Sequence, residues 1–215
     1  MNINSISKNL DTFLNSISIS NEYNFDLRFC ETKLSDDIEN LYDIPGYQKV
    51  TLNNTRQSGG LIIYIKDKLN NFEIRNDLKR KLDCIEALFI EIKIDNKSVI
   101  YGIVYRRPNT NFRTFLNEME VILDAACREN KTLIISGDFN INLLDYDINA
   151  NVRDFVNLFN SNNLFSTIVK PTRVTGATST LIDHVWTNSY SNCNSNGIFY
   201  DRITDHYPIF QPFQV

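Results

Sequence analysis

No stretch of this 215-residue chain approaches the ~20 consecutive apolar residues that cross a bilayer; its longest runs, such as GGLIIYI, have the length of buried strands. The opening segment MNINSISKNLDTFLNSISIS has no basic stretch followed by an apolar core, so no secretory signal is expected. The four cysteines (Cys30, Cys84, Cys127, Cys193) are far apart, form no CxxC pair, and are joined by only two histidines. That excludes a cysteine–histidine zinc module and predicts a reduced, intracellular protein. Also missing are a Gly/Ser/Pro-rich linker, an internal repeat, a glycine-rich nucleotide loop and a GxSxG elbow, so nucleotide-driven transfer and acyl hydrolysis lack support. Nor is positive charge in excess. Lys and Arg number 22 against 26 Asp and Glu, a net charge of −4, which argues mildly against tight nonspecific binding of nucleic acid but allows a locally basic groove.

What is present fits one globular domain over residues 1–215. Apolar residues are 42% and charged residues 22%, which sets disorder, collagen and coiled coil aside. The 29 asparagines form no tract and read as a compositional bias. Leu10, Phe13, Leu14 and Ile17 recur at helical spacing, and FDLRFC, GYQKVTL, GGLIIYI, CIEALFIEIKI and SVIYGIVY read as strands, the last two joined by a turn at Asp95-Asn96. Phe112, Phe115, Leu116, Met119, Ile122, Leu123 and Ala126 line one face of a helix from about Phe112 to Arg128. TLIIS is a strand covered on both faces, and Val152, Phe155, Val156 and Phe159 mark a further helix. Final strands are expected around LIDHVW and HYPIFQPF. Hairpins and helical crossovers together predict an α/β domain with mixed sheets.

Polar residues end several of these strands, where function in such folds usually sits. In Gly137-Asp138-Phe139-Asn140, side chains two apart in an extended segment point the same way, so Asp138 and Asn140 would converge on a phosphate while Phe139 packs behind. The plainer reading is an Asp/Asn turn. Asp183 interrupts an apolar strand, where a lone carboxylate is unfavourable unless partnered; facing an imidazole, it would orient a base or acid. His184, adjacent, would point to the opposite face, which leaves His206 as the better partner and Asp205 free for a metal. Glu31, followed by a helix expected from Ser35, reads either as a hard-cation ligand or as a solvated residue near a cap. Tyr105 is equally readable as core, Arg106-Arg107 as a solvated pair, and Lys79-Arg80-Lys81 as a solvated loop. Together the acids, the Asp–His pair and the tyrosine suit phosphodiester hydrolysis.

In order, NINS near the start, ETKL at 31–34, SGGLIIYI at 58–65, VYRRP at 104–108, SGDFNINLL at 136–144, STLIDHVW at 179–186 and ITDHYPI at 203–209 resemble the endonuclease/exonuclease/phosphatase superfamily, and more closely the endonuclease domain encoded by non-LTR retrotransposons. The resemblance implies an α/β (α+β) fold, a two-sheet β-sandwich flanked by helices in the four-layer manner of deoxyribonuclease. It implies Mg²⁺, with Mn²⁺ as a substitute, held by Glu31 with Asn2 and Asp205 nearby. His206, paired with Asp183, would be general base or transition-state stabiliser. Asp138 would orient the attacking water or protonate the leaving oxygen, and Asn140 and Tyr105 would contact the scissile phosphate. Thr172, Thr180 and Arg106 would lie beside the bound strand. The implied substrate is double-stranded DNA, cut to a 3′-hydroxyl and a 5′-phosphate. The implied location is nuclear with no membrane association, and the implied partner is a reverse transcriptase region that this chain does not contain.

Three departures from the family pattern carry expectations. An apolar strand usually precedes the NINS-like asparagine, so a missing first strand and a bare sheet edge are expected here. Arg28 stands inside FDLRFC where an apolar residue is usual, and unpaired in the interior it would cost several kcal/mol. No reverse transcriptase segment follows. A truncated copy that folds without cutting, and a small-molecule phosphoesterase on the same fold, are therefore the alternatives.

Overall fold

A computed structural model describes residues 1–18, 26–54, 57–94, 97–189 and 196–211. Helix α1 (Ile6–Ser18) precedes a three-stranded antiparallel sheet of β1 (Leu27–Cys30), β2 (Tyr47–Leu52) and β3 (Leu61–Lys66), ordered β1-β3-β2. The larger sheet draws on β4 (Phe72–Ile74), β5 (Arg80–Lys81), β6 (Ile85–Ile94), β7 (Lys97–Arg106), β8 (Thr132–Asp138), β9 (Phe165–Ser166) and, past a hairpin of β10 (Arg173–Val174) and β11 (Ser179–Thr180), β12 (Asp183–Thr187). Its order is β4-β6-β7-β8-β12-β9, with β5 beside β6. Among the described strands of this sheet only β7 and β8 run parallel, and α2 (Phe112–Cys127) makes that crossover. Helix α3 (Ala150–Ser161) follows β8, and β13 (Gly197–Ile198) pairs with β14 (Ile209–Phe210) near the end.

Three apolar clusters separate four layers, as the resemblance implies. Ile62 and Tyr64 of β3 turn outward onto Ile6, Leu10 and Phe13 of α1. Leu61, Ile63 and Ile65 turn inward onto Leu88 and Ile90 of β6 and Ile103 of β7. Beyond the large sheet, Ala87, Phe89, Val104, Leu133 and Ile135 meet Phe115, Met119, Phe155 and Phe159 of α2 and α3. Strands covered on both faces read as unbroken apolar runs, which accounts for GGLIIYI and TLIIS. Among the described residues no helix is long and apolar enough to cross a membrane.

Several local expectations change. Asp95-Asn96 lie outside the described residues, although the strands they join pair from Ile85↔Arg106 to Ile94↔Lys97. After Ser35 there is a turn and one short 3-10 turn (Glu39–Tyr42) in place of a helix, because Pro45-Gly46 redirects the chain within a few residues. The last strand is only Ile209–Phe210. The outer edge of β1 is not bare at its end: Cys30 N–H donates to Met1 O and Ile3 N–H to Cys30 O, each at 3.0 Å. Arg28 sits half-buried with its guanidinium 5.2 Å from the Tyr101 ring centroid, and its Nη1 is buried without a hydrogen bond. Burial lowers its pKa against the support of Tyr101 and Asp26. Cation–π contact thus replaces the ion pair that the sequence would demand.

Candidate active site

Strand register assembles the site. Tyr105 on β7 lies opposite Asp138 on β8, and Asp138 lies opposite Asp183 on β12. Paired residues share a sheet face, so three neighbouring strands present Tyr105, Asp138 and Asp183 in one row. One step further in, the same face carries Ile103, Ser136 and Val185. The row is therefore the rim at which the sandwich interior turns polar.

Three chain segments close over this row. Asn2 is buried and donates from Nδ2 to Asp138 Oδ2 at 2.9 Å. Glu31 follows β1 with φ of +54°, accepts Ser5 N–H on its carbonyl at 2.8 Å, and accepts a hydrogen bond from the Tyr105 hydroxyl on its carboxylate. His206 places Nδ1 2.8 Å from Asp183 Oδ2 and Nε2 4.0 Å from Asp138 Oδ2. The second distance is too long for a hydrogen bond, yet one substrate oxygen can lie against both groups. Thr204 anchors the turn: its hydroxyl donates to Asn2 O at 3.2 Å and accepts His206 N–H at 3.0 Å.

Burial, then the charge of Asp183, pushes the Asp138 carboxyl up to about 7. Burial also acts against Asp183, but the His206 charge and hydrogen bond outweigh it and leave Asp183 below its ordinary value. For His206 burial lowers the pKa, and Asp183, Asp138 and Asp205 more than reverse that, to about 8. The linked stability follows in sign. His206 is raised in the fold, so its contribution is complete below about pH 6.5 and lost as pH rises through about 8; the shift from 6.5 is worth about 2 kcal/mol. Raised Asp138 acts in the same direction between its ordinary 3.8 and about 7, and depressed Asp183 withdraws stability only as pH falls below 3.8. Urea unfolding without metal is expected to show stability declining from pH 5 to 9. Because Asp138 also titrates near 7 and is held down by His206, the comparison is made with Asp138→Asn already in place: there His206→Gln should remove the decline between pH 6.5 and 8, and an unchanged slope would contradict the assignment.

Two groups of atoms could hold a cation. Ligand atoms of Asp138, Asp183 and His206 lie within 4.8 Å of one another. There the Asp183–His206 hydrogen bond already occupies Nδ1, and the surrounding acids favour a protonated ring, which cannot ligate. Glu31 offers its carboxylate and Asn2 its amide Oδ1, which also accepts Asn4 N–H at 3.0 Å; the two residues meet the row at Tyr105 and Asp138. Hard-cation chemistry suits that second set.

Other expected residues are placed differently. Asp205 pairs with Arg173 at 2.7 Å (Oδ2 to Nε), and Thr172 is buried behind Asp183, its Oγ1 accepting the Asp183 N–H at 3.0 Å. Thr180 pairs with Arg173 in the β10–β11 hairpin. Arg106 is only 8% exposed and turns back into the fold, donating to Asn140 O at 3.2 Å and Thr110 O at 3.1 Å. Asn140 returns a bond from Nδ2 to Arg106 O at 2.7 Å. It is not extended: φ is +48° and its N–H is accepted by Asp138 Oδ1, an Asp-led turn that the sequence alternative described. His184 faces away, stacked on Phe139 with ring centroids 5.0 Å apart and bonded to Ile141 O. The sequence pattern does not single out Arg173, Thr204 or Glu86 as site residues. For Glu86 a cue is available, since it is an acid set between apolar residues of a strand, as Asp183 interrupts the apolar run LIDHVW.

Residues 99–210, slightly over half the chain, match the model of the family described as endonuclease-reverse transcriptase. No curated protein matches the sequence. Among solved structures, the chain is similar to the endonuclease domain of TRAS1, a telomere-specific non-LTR retrotransposon (TM-score 0.74, 11% identity, covering 100% of this chain and 96% of that one). It is similar also to the Xenopus laevis APE2 catalytic domain (0.67, 16%, 98% and 90%) and to the 3′-5′ exonuclease NExo of Neisseria meningitidis (0.67, 18%, 100% and 98%). Identities this low speak for the fold alone.

Proposed function

The chain belongs to the endonuclease-reverse transcriptase family and has the endonuclease/exonuclease/phosphatase fold, and from that premise we propose that it is a Mg²⁺-dependent DNA endonuclease of the kind that nicks a retrotransposon target. The observation that carries this is the polar row Tyr105–Asp138–Asp183, with His206 poised between the two aspartates and Glu31 against Tyr105. Glu31 and Asn2 would hold the cation, with Asp205 contributing if it leaves Arg173. With Asp205 paired to Arg173, the carboxylates of Glu31, Asp138 and Asp183 still outnumber the single imidazole facing them, which suits a divalent ion. Bound there, Mg²⁺ supplies neutralisation of charge developing on the phosphoryl oxygens.

The remaining chemistry falls to the chain. His206, raised to about 8, is mostly protonated near neutral pH, so Nε2 donates to a phosphoryl oxygen and stabilises the charge that develops there. Asp183 keeps the ring oriented. Asp138 lies against the same oxygen and, with a pKa near neutrality, exchanges a proton with water or the leaving group. Water attacks phosphorus and gives up a proton to the Asp138 carboxylate, the bond to the 3′-oxygen breaks, and that oxygen takes up a proton from solvent water. A 5′-phosphate and a 3′-hydroxyl result, the latter suited to prime reverse transcription in the nucleus.

Nicking of supercoiled plasmid is the test. Purified protein should nick with Mg²⁺ and stop with EDTA, and Glu31→Gln should lower the rate at least a hundred-fold at limiting Mg²⁺. DNA left intact by a folded protein would favour the non-cutting copy. Turnover of a soluble phosphomonoester in place of DNA would favour the small-molecule phosphoesterase.

A further inference from the structure

The polar row has a fourth member. Glu86 on β6 lies opposite Tyr105, on the same face, and is fully buried. Three donors converge on its carboxylate: Gly60 N–H on Oε2 at 2.7 Å, Arg107 Nη2 on Oε1 at 2.9 Å, and Asn54 Nδ2, also on Oε1. Gly60 and Gly59 in turn hold the segment after Glu31, because Gly60 O accepts Thr32 N–H at 3.2 Å and Gly59 O accepts Lys33 N–H at 2.9 Å.

This coupling bears on Glu31 because its backbone is one that side-chain-bearing residues seldom adopt. Glu31 and Lys33 have φ of +54° and +55°, and Gly59 and Gly60 have +70° and +91°. The two turns lie face to face with no room for a side chain between them: a Cβ on Gly60 would collide with Thr32 Oγ1, and one on Gly59 with Glu86 Oε1. Such conformations persist only when neighbouring contacts fix them. Here the fixed point is the Glu86 carboxylate. Only an anion accepts all three donors, since a neutral amide would turn its own NH₂ toward at least one of them.

We propose that Glu86 is a positioning residue for Glu31, acting through Gly60 and Thr32 to hold the metal-binding carboxylate against Tyr105. The proposal rests on Glu31 being a metal ligand, as put forward above. It separates metal affinity from the His206–Asp183 pair, which is held from β12 and the Thr204 turn, away from the Glu86 contacts.

The test is calorimetric titration of the folded chain with Mn²⁺, at a temperature where each variant is shown to be native by circular dichroism. Glu31→Gln should abolish or greatly weaken binding, and Glu86→Gln should raise the Kd about ten-fold. In plasmid nicking, Glu86→Gln should show the same rise in the Mg²⁺ concentration needed, with most of the rate recovered at saturation. Lowered stability with parental Mn²⁺ affinity would overturn the proposal and leave Glu86 a structural residue only. Parental affinity in Glu31→Gln would instead remove the reading on which it rests. If Glu86→Gln does not fold, Glu86→Asp keeps the charge and draws it back by one methylene; a Kd raised at least three-fold is expected, and an unchanged one overturns the proposal.

Discussion

His206→Gln is expected to lower single-turnover DNA cleavage about a thousand-fold, at the upper end of the roughly 10²–10³ lost with one preorganised donor to a developing oxyanion. The expectation follows from which nitrogen is free. Nδ1 is committed to Asp183 at 2.8 Å, so Nε2 is the atom that reaches the reacting phosphate, and Gln offers neither the charge nor the ring geometry. Asp183→Asn should cost less, about a hundred-fold, because the imidazole remains but loses the carboxylate that orients it and raises its pKa. With that support gone, the His206 pKa falls and the alkaline limb of the pH–rate profile moves to lower pH. Since the two residues act as one unit, the double variant should be no slower than His206→Gln alone. A His206→Gln rate within ten-fold of the parent would place the chemistry elsewhere.

Much of this arrangement was legible because two-sided burial and strand alternation both leave marks in sequence. Asp183 stood out as an acid in an apolar strand, and the face assignment that set His184 aside in favour of His206 needed only the two-residue period. What sequence could not carry was the register between strands. Nothing in CIEALFIEIKI says that Glu86 will stand beside Tyr105, nor that Arg107 rather than Arg106 will answer its charge. Alternation also misdirects where the backbone leaves the extended region. Asn140 and Glu31 both have positive φ, so their side chains point where a strand pattern does not predict. The ion-pair partner of Asp205 is hidden for another reason. Arg173 lies in KPTR, 32 positions away, and only the β10–β11 hairpin with the Thr172 and Val174 backbone bonds brings it close.

Gly137→Ala is expected to be the most damaging glycine-to-alanine change, with a loss of about 2–6 kcal/mol of stability. Two costs combine. Gly137 has φ of +151°, a region essentially reserved for glycine, where a side chain adds about 1–3 kcal/mol. A Cβ there would also collide with the Val104 carbonyl oxygen and lie 2.8 and 2.9 Å from the Val104 carbonyl carbon and amide nitrogen. Those are backbone atoms of the parallel neighbour and cannot swing aside, so overpacking adds about 1–3 kcal/mol. With total stability of small domains near 5–15 kcal/mol, the variant should sit close to its unfolding midpoint at 37 °C. Gly176 is the control. A Cβ there meets nothing within 4 Å, so Gly176→Ala should stay within about 0.5 kcal/mol of the parent. The consequence for catalysis is specific, because Gly137 directly precedes Asp138 and its Val104 pairing sets the Tyr105↔Asp138 register. To admit the methyl, β8 must withdraw from β7, which carries Asp138 away from Tyr105 and breaks the row at its centre. The fraction of Gly137→Ala that remains folded at low temperature should therefore cleave DNA more slowly than its folded population explains. Urea midpoints and cleavage rates measured together separate the two effects, and a Gly137→Ala midpoint equal to that of Gly176→Ala would refute the close approach of β7 and β8 on which the site depends.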